Sequence, residues 1–357
     1  MKTWKRRSLN MDHITAGVCY YPEYWGKDYW KSDLEKMREL GIEVVRIAES
    51  SWNFFEPEEG RYDFTLFDTF IDEAKYYGIR IIIGTPTYTP PAWLTKKYPE
   101  VLNADISGNL FHHGMRQHRN LTSKIYLEKC AKLVSEMAKH FSKQPMVIGW
   151  QLDNEINCEV SEYYAKSDRE AFRRWIKTKY TSLEAFNHAI GGVFWNQSYS
   201  SWDEVELPQL THKNSPNPHM VLEMRRFVSH SAIQFLKNQS DRIREYIPQD
   251  TFIMTNGVFN YFDYNQLIEE GVVDFITYDS YPNFAFSPGK DISGDDINDR
   301  NTSYNLAKVR SNSPIFGIME QQVGAGGWNT RLMQTAPKPG QMRLWSFQSI
   351  AHGADFI

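Results

Sequence analysis

Cysteine is scarce: Cys19, Cys130 and Cys158 are the only three in 357 residues. An odd number at such wide spacing excludes both a disulfide framework and a CxxC metal pair. Long apolar runs are missing too, and nothing approaches the roughly 18 consecutive apolar residues of a membrane span. No membrane partner is therefore expected. The basic start Met1-Lys-Thr-Trp-Lys-Arg-Arg is not followed by an apolar h-region before Tyr20. A secretory signal is therefore not expected, and a cytoplasmic location is the expectation. Positive charge is not in excess, since 40 basic residues face 44 acidic ones for a net charge of −4. A nucleic-acid partner, which wants a basic face, is accordingly not expected. No internal repeat, low-complexity tract or Pro/Ser linker divides the chain, so 1–357 reads as one domain.

What the sequence does have is alternation. Strand-like runs lie at Gly17–Pro22, Glu43–Glu49, Arg80–Pro86, Val147–Glu155, Thr251–Gly257, Asp274–Pro282, Ile315–Gln322 and Ala354–Ile357. Helical periods fall between most of them. Trp30, Leu34 and Met37 share one face, with Ser32-x-x-Glu35 as a candidate capping box. Phe67, Phe70, Ile71 and Ala74 share another, and Leu127, Ala131, Val134, Ala138 and Phe141 a third. Parallel strands need crossover connections, and near-continuous apolar runs mean strands covered on both faces. An open doubly wound sheet and a closed barrel both satisfy this; eight such units favour a (β/α)8 TIM barrel. Residues 156–218 read as an insertion after the fourth strand. The chain ends four residues into its eighth strand run, so the barrel is expected to be incomplete and the chain a fragment.

Two carboxylates end apolar strands. Glu155 closes Trp150-Gln-Leu-Asp-Asn-Glu155, and Glu320 closes Ile315-Phe-Gly-Ile-Met-Glu320 before the loop Gly324-Ala-Gly-Gly-Trp328. In a barrel those ends open onto the active-site face. Asn154 and Glu155 are consecutive, so they point apart unless the strand bends as it ends. A Glu buried there has its pKa raised and serves as a general acid near neutral pH. A second Glu with its carboxyl group about 5–5.5 Å away completes the apparatus of a retaining glycosidase; a separation of about 6.5–9.5 Å means inversion. The aromatic share of 15%, with 11 Trp, 20 Tyr and 21 Phe, suits a pocket that stacks on sugar C–H faces. Trp93, Trp195 and Trp328 are the loop tryptophans in question.

The motifs GVCYYPEYW, VRIAESSWNFFEPEEGRYDF, GTPTYTPPAWL, GWQLDNE, VFWNQSYSSWDEVELP and MEQQVGAGGW occur in that order from Gly17 to the last residue. In them the chain resembles glycoside hydrolase family 42, the β-galactosidases. The resemblance implies a (β/α)8 barrel, retention of configuration, Glu155 as acid/base and Glu320 as nucleophile. It further implies that Arg116, Asn154, Trp195, Tyr281 and Trp328 line a galactose subsite. Those roles make chemical sense. Asn154 suits the sugar 2-OH, Tyr281 suits orienting Glu320, and the Arg116 guanidinium fits vicinal hydroxyls or a carboxylate. Arg46 reads equally as a partner for Glu320 and as half of a structural ion pair. His112, His113 and His118 receive no role.

Two departures from the family qualify the resemblance. Some members hold a structural zinc on four cysteines. Here Arg116–Asn120 contains no cysteine and Cys158 stands alone downstream, so no metal and no cofactor are expected. The family's residues beyond strand eight and its trimer-forming domain are not in this sequence; the full-length protein is expected to be a homo-oligomer, by resemblance a trimer. The leading reading is an exo-acting retaining β-galactosidase taking β-galactosides or galacto-oligosaccharides. The alternatives are a related glycosidase preferring α-L-arabinopyranosides or β-fucosides, and a sugar-binding barrel without turnover.

Overall fold

The computed structural model describes residues 13–258, 262–282, 299–313, 315–324 and 337–357. Its strands are β1 Gly17–Cys19, β2 Val44–Ile47, β3 Arg80–Gly84, β4 Val147–Gln151, β5 Phe252–Gly257, β6 Phe275–Ser280 and β7 Gly317–Gln321. They form one sheet in chain order, and every neighbouring pair is parallel. The final residues close the ring. Phe356 makes parallel bridges to Thr15, just ahead of β1, and to Gly317 of β7. Ile318 N donates to Phe356 O at 3.0 Å, and Gly17 N donates to Ile357 O at 2.8 Å. The segment 355–357 therefore occupies the eighth position of a (β/α)8 barrel, and each run expected as a strand falls at a barrel strand.

Strand alternation divides the apolar residues between two cores. Outward positions such as Val45, Ile47, Ile81, Ile83, Trp150, Ile253 and Ile276 pack under the helices. Inward positions Val44, Ile82, Phe252, Met254, Phe275 and Phe356 form a separate floor inside the barrel. The floor needs two glycines. A Cβ on Gly149 would lie 2.1 Å from the Phe252 ring, and one on Gly317 would lie 2.1 Å from the Phe356 ring. Above the floor the inward positions turn polar: Arg46 follows Val44, Asn256 follows Met254, and Asp279 follows Phe275 and Thr277. The period of two thus builds an apolar base and a polar mouth from the same strands.

Two local expectations are corrected. The first long helix runs Lys27–Glu39, starting after Gly26 at φ 72°, a conformation that costs glycine little. Ser32 lies inside it and donates to Tyr29 O, so it caps nothing. In the helix Lys124–Phe141, Val134, Ala138 and Phe141 are buried as expected, but in its first turns Tyr126 and Cys130 are buried while Leu127 and Ala131 are only half-buried. The helix rolls toward Pro218–Arg244, where the rings of Tyr126 and Phe235 stack 5.9 Å apart. Between β4 and that long helix, Lys166–Lys179 and Leu183–Ala189 gather an apolar cluster of their own around Phe172, Phe186, Leu207 and Phe227. Among the described residues no helix is long and apolar enough to cross a membrane.

The floor carries a stability prediction. Phe356→Ala empties the space beside Gly317 and Phe275 and should cost about 3–5 kcal/mol in urea unfolding. A loss below about 1 kcal/mol would mean that the closing segment does not help to hold the floor.

Candidate active site

The two glutamates reach the mouth by different backbone devices. β4 ends at Gln151, and beyond it Asp153, Glu155 and Asn157 adopt left-handed φ values of 53°, 44° and 61°. Side-chain-bearing residues adopt that conformation only when their surroundings impose it. The surroundings here are specific. Asp153 N donates to Thr85 Oγ1 at 2.7 Å, and the Asp153 carboxylate takes Arg119 at 2.6 Å and Thr87 Oγ1 at 2.7 Å. Glu155 O accepts from Gln117 Nε2 at 2.8 Å. Because the chain has left the strand and coils, Asn154 and Glu155 do not point to opposite faces.

Glu320 arrives through a bulge. Gly317 and Met319 face the floor, so plain alternation would turn Glu320 outward. The β6–β7 register slips between Tyr278 and Asp279, however, pairing Asp279 with Glu320 and leaving Met319 as the extra residue. Parallel partners share a face, so Glu320 joins the inward-pointing Asp279. Bulges re-aim side chains in this way beside active sites.

Three carboxyl groups converge as a result. One oxygen each from Glu155, Asp279 and Glu320 lies within 4.8 Å of the others, and this is the one group among the described residues able to gather on a cation. Two guanidinium groups already stand against it. Arg46 Nη2 lies 2.9 Å from Glu320 Oε1 and 3.2 Å from Glu49 Oε1. Arg116 Nη2 lies 3.0 Å from Glu155 Oε2, and Arg116 also pairs with Glu159 at 2.9 Å. Both sequence readings of Arg46 thus hold at once.

Tyr281 Oη donates to Glu320 Oε2 at 2.6 Å, and burial followed by the Glu320 charge pushes the phenol's pKa far up, keeping that proton in place. A closed ring of hydrogen bonds runs inside the barrel. Arg46 Nη1 donates to Gln151 Oε1 at 3.0 Å, and Gln151 Nε2 to Asn154 Oδ1 at 3.3 Å. Asn256 Nδ2 donates to Asn154 Oδ1 at 3.0 Å and to Glu320 Oε1 at 3.3 Å, and Arg46 completes the circuit.

Burial, then the neighbouring Glu320 charge, raises the Glu155 pKa to about 7, with Arg116 and Arg46 opposing. Asp279, 1% exposed, is pushed well above the usual carboxyl range by burial and by both glutamates. Of the residues expected at the site, Glu155, Glu320, Asn154, Arg116 and Tyr281 are brought together. Trp195 is not seen to join them. It lies on the turn Phe194–Asn196, stacked on Phe194 and 82% exposed, too open to wall a closed pocket within this chain. Trp328 lies outside the described residues. His118 is buried, its Nδ1 2.7 Å from Met115 O, and desolvation lowers its pKa to about 4, which makes it a structural neutral imidazole. Gln151, Asn256, Asp279 and Glu159 were not expected at the site.

Known proteins place this geometry in context. The model of glycoside hydrolase family 42, described as beta-galactosidase, matches residues 19–357. A beta-galactosidase of Thermus thermophilus is 36% identical over 360 residues, covering 96% of this chain and 54% of that protein. The crystal structure of beta-galactosidase from the psychrophilic Marinomonas ef1 superimposes with a TM-score of 0.88 at 34% identity, over 96% of this chain and 53% of that one. The beta-galactosidase of the Antarctic haloarchaeon Halorubrum lacusprofundi gives a TM-score of 0.89 at 33% identity, over 96% and 52%. The chain spans about half the length of the curated relatives it matches. With the match running through both glutamate strands, the chain belongs to glycoside hydrolase family 42.

Proposed function

We propose that this chain carries the catalytic barrel of a retaining β-galactosidase that hydrolyses terminal non-reducing β-D-galactosyl residues. One observation supports it above the others: an oxygen of Glu155 and an oxygen of Glu320 lie within 4.8 Å of each other in one mouth. Oxygens that close favour the short carboxyl separation of a retaining enzyme, about 5–5.5 Å, over the about 6.5–9.5 Å of an inverting one.

In the first step a Glu320 oxygen bonds to the anomeric carbon as the glycosidic C–O bond breaks, and the Glu155 proton passes to the leaving oxygen. In the second, Glu155 takes a proton from water, the water oxygen bonds to the anomeric carbon, and the bond to Glu320 breaks. Arg46, Tyr281 and Asn256 all donate to Glu320, so its carboxylate is held in one orientation. Asn154 has its carbonyl oxygen committed to Gln151 and Asn256, so its amide hydrogens are what it offers the sugar 2-OH. Arg116 and, by resemblance, Trp328 bound the galactose. The exposed run Val193-Phe194-Trp195 favours a homo-oligomer, the trimer of the resemblance. Sedimentation velocity on the whole protein should then show an assembly, and a monomer would remove that part of the reading.

Glu155→Ala and Glu320→Ala in the whole protein should each lower kcat on nitrophenyl β-galactoside by ~10³-fold or more. Azide should restore turnover of an activated substrate in both, giving the β-azide with Glu155→Ala and the α-azide with Glu320→Ala. Near-normal activity in either variant, or the reverse stereochemistry, refutes the roles assigned.

The pH dependence follows from the raised Glu155 pKa. The acid form donates, so the proton is held below pH 7 and lost above it. The kcat/KM profile should fall with a one-proton limb near pH 7, and Glu155→Gln should abolish the limb. A profile flat to pH 9 would contradict this assignment.

A further inference from the structure

Glu155 and Glu320 stand on opposite sides of the barrel, each with its own arginine. Those ion pairs orient the carboxyl groups but do not tie them to each other. Beside the longer route through Arg46, Gln151 and Asn154, the direct connection runs through Asn256 at the end of β5, a side chain with no exposed surface. Its Oδ1 accepts from Glu155 N at 3.3 Å. Its Nδ2 reaches Asp279 Oδ2 at 2.8 Å, Asn154 Oδ1 at 3.0 Å and Glu320 Oε1 at 3.3 Å. The orientation of the amide is forced, because a backbone N–H only donates and the oxygen must face it.

We propose that Asn256, anchored by Asp279, is a positioning residue that fixes the separation of Glu155 and Glu320. This rests on the reading of the two glutamates as acid/base and nucleophile. A carboxamide accepts from the Glu155 strand exit on one atom and keeps two hydrogens on the other for Asp279, Asn154 and Glu320, without a charge of its own. An aspartate there would turn an oxygen toward three other oxygens, and an alkyl side chain would offer neither bond. Asp279 acts through Asn256. Its bond to Asn256 is its one side-chain hydrogen bond among the described residues, and its other oxygen is buried without a partner. Burial and the glutamate charges favour its neutral acid form, which holds the amide without adding negative charge to the mouth.

The test uses Asn256→Ala, the isosteric Asn256→Asp, Asp279→Ala and Asp279→Asn in the whole protein, with circular dichroism and melting temperature measured beside kinetics. Both Asn256 variants should lose ~10²-fold in kcat with KM within about threefold of the parent, as expected when reacting groups are misplaced but the sugar still binds. Asp279→Asn keeps a carbonyl acceptor for Asn256 and should be at least ~10-fold more active than Asp279→Ala. A folded Asn256→Asp protein with kcat within about threefold of the parent overturns the proposal. So does a loss confined to KM, or an Asp279→Asn variant no better than Asp279→Ala. Glu155→Ala and Glu320→Ala run alongside separate the two levels. If they lose activity while the Asn256 variants keep it, the positioning role alone fails; if either keeps it, the assignment of the glutamates fails and this inference goes with it.

Discussion

Mutual repulsion among three converging carboxyl groups, two of them buried, is the constraint around which this barrel is arranged. At 4.8 Å two unit charges repel by about 3.5 kcal/mol at an effective dielectric of about 20. Three ionised groups would therefore cost about as much as the whole net stability of an ordinary domain, about 5–15 kcal/mol. The fold meets that cost in two ways. It brings Arg46 and Arg116 against Glu320 and Glu155, and it leaves protons on groups whose burial favours the neutral form. Buried ion pairs rarely add net stability, because desolvation offsets their attraction. These pairs make a cluster tolerable that the chemistry of a glycosidase requires.

The backbone bears the other part of the cost. Three alternating left-handed residues after β4 and one slipped residue in β7 are departures from regular structure, each of which would weaken an ordinary strand end. They persist because Thr85, Thr87, Arg119, Gln117 and Asn256 hold the β4 exit from three separate segments of the chain. The apolar floor of Phe252, Phe275 and Phe356 lies inside the same barrel and keeps it rigid. A well-packed base and a strained, polar rim divide stability and function along the strands themselves.

The same division explains what could be read from the sequence. Apolar runs, their spacing and the terminal Glu155 and Glu320 were legible because burial on both faces leaves a strong local pattern. Tyr281 and Arg116 were legible through the family resemblance. Asn256 and Asp279 carried a weaker signal that was open to reading: counting by twos from Phe252 and from Phe275 places both inward at the rim. They were passed over because TFIMTNG and DFITYDSYP look like strand ends with ordinary polar punctuation. The Met319 bulge was not legible at all. Counting by twos from Gly317 puts Glu320 outside, and only the β6 register reverses that. Helix Lys124–Phe141 was placed correctly and Val134, Ala138 and Phe141 were read correctly as core; only its first turns differ, where Tyr126, stacked on Phe235, is buried in place of Leu127. Ser32 misled for the opposite reason: a good capping pattern lost to the glycine turn at Gly26.

The two glutamates differ in the company they keep, and that difference supports their division of labour. Glu320 collects donors on both oxygens, from Arg46 and Asn256 on one and Tyr281 on the other. Such a set is fully accepted only by a carboxylate, the form a nucleophile needs. Glu155 has one arginine in direct contact, and Glu159 draws on the same guanidinium at 2.9 Å. Shared in this way, Arg116 cannot offset both burial and the Glu320 charge, so Glu155 keeps its proton to about pH 7. Moving Glu159 out of reach would strengthen the Arg116–Glu155 pair and lower that pKa. The acid in this site is therefore set first by its own burial and by the Glu320 charge, and the competitor for its arginine adds to both.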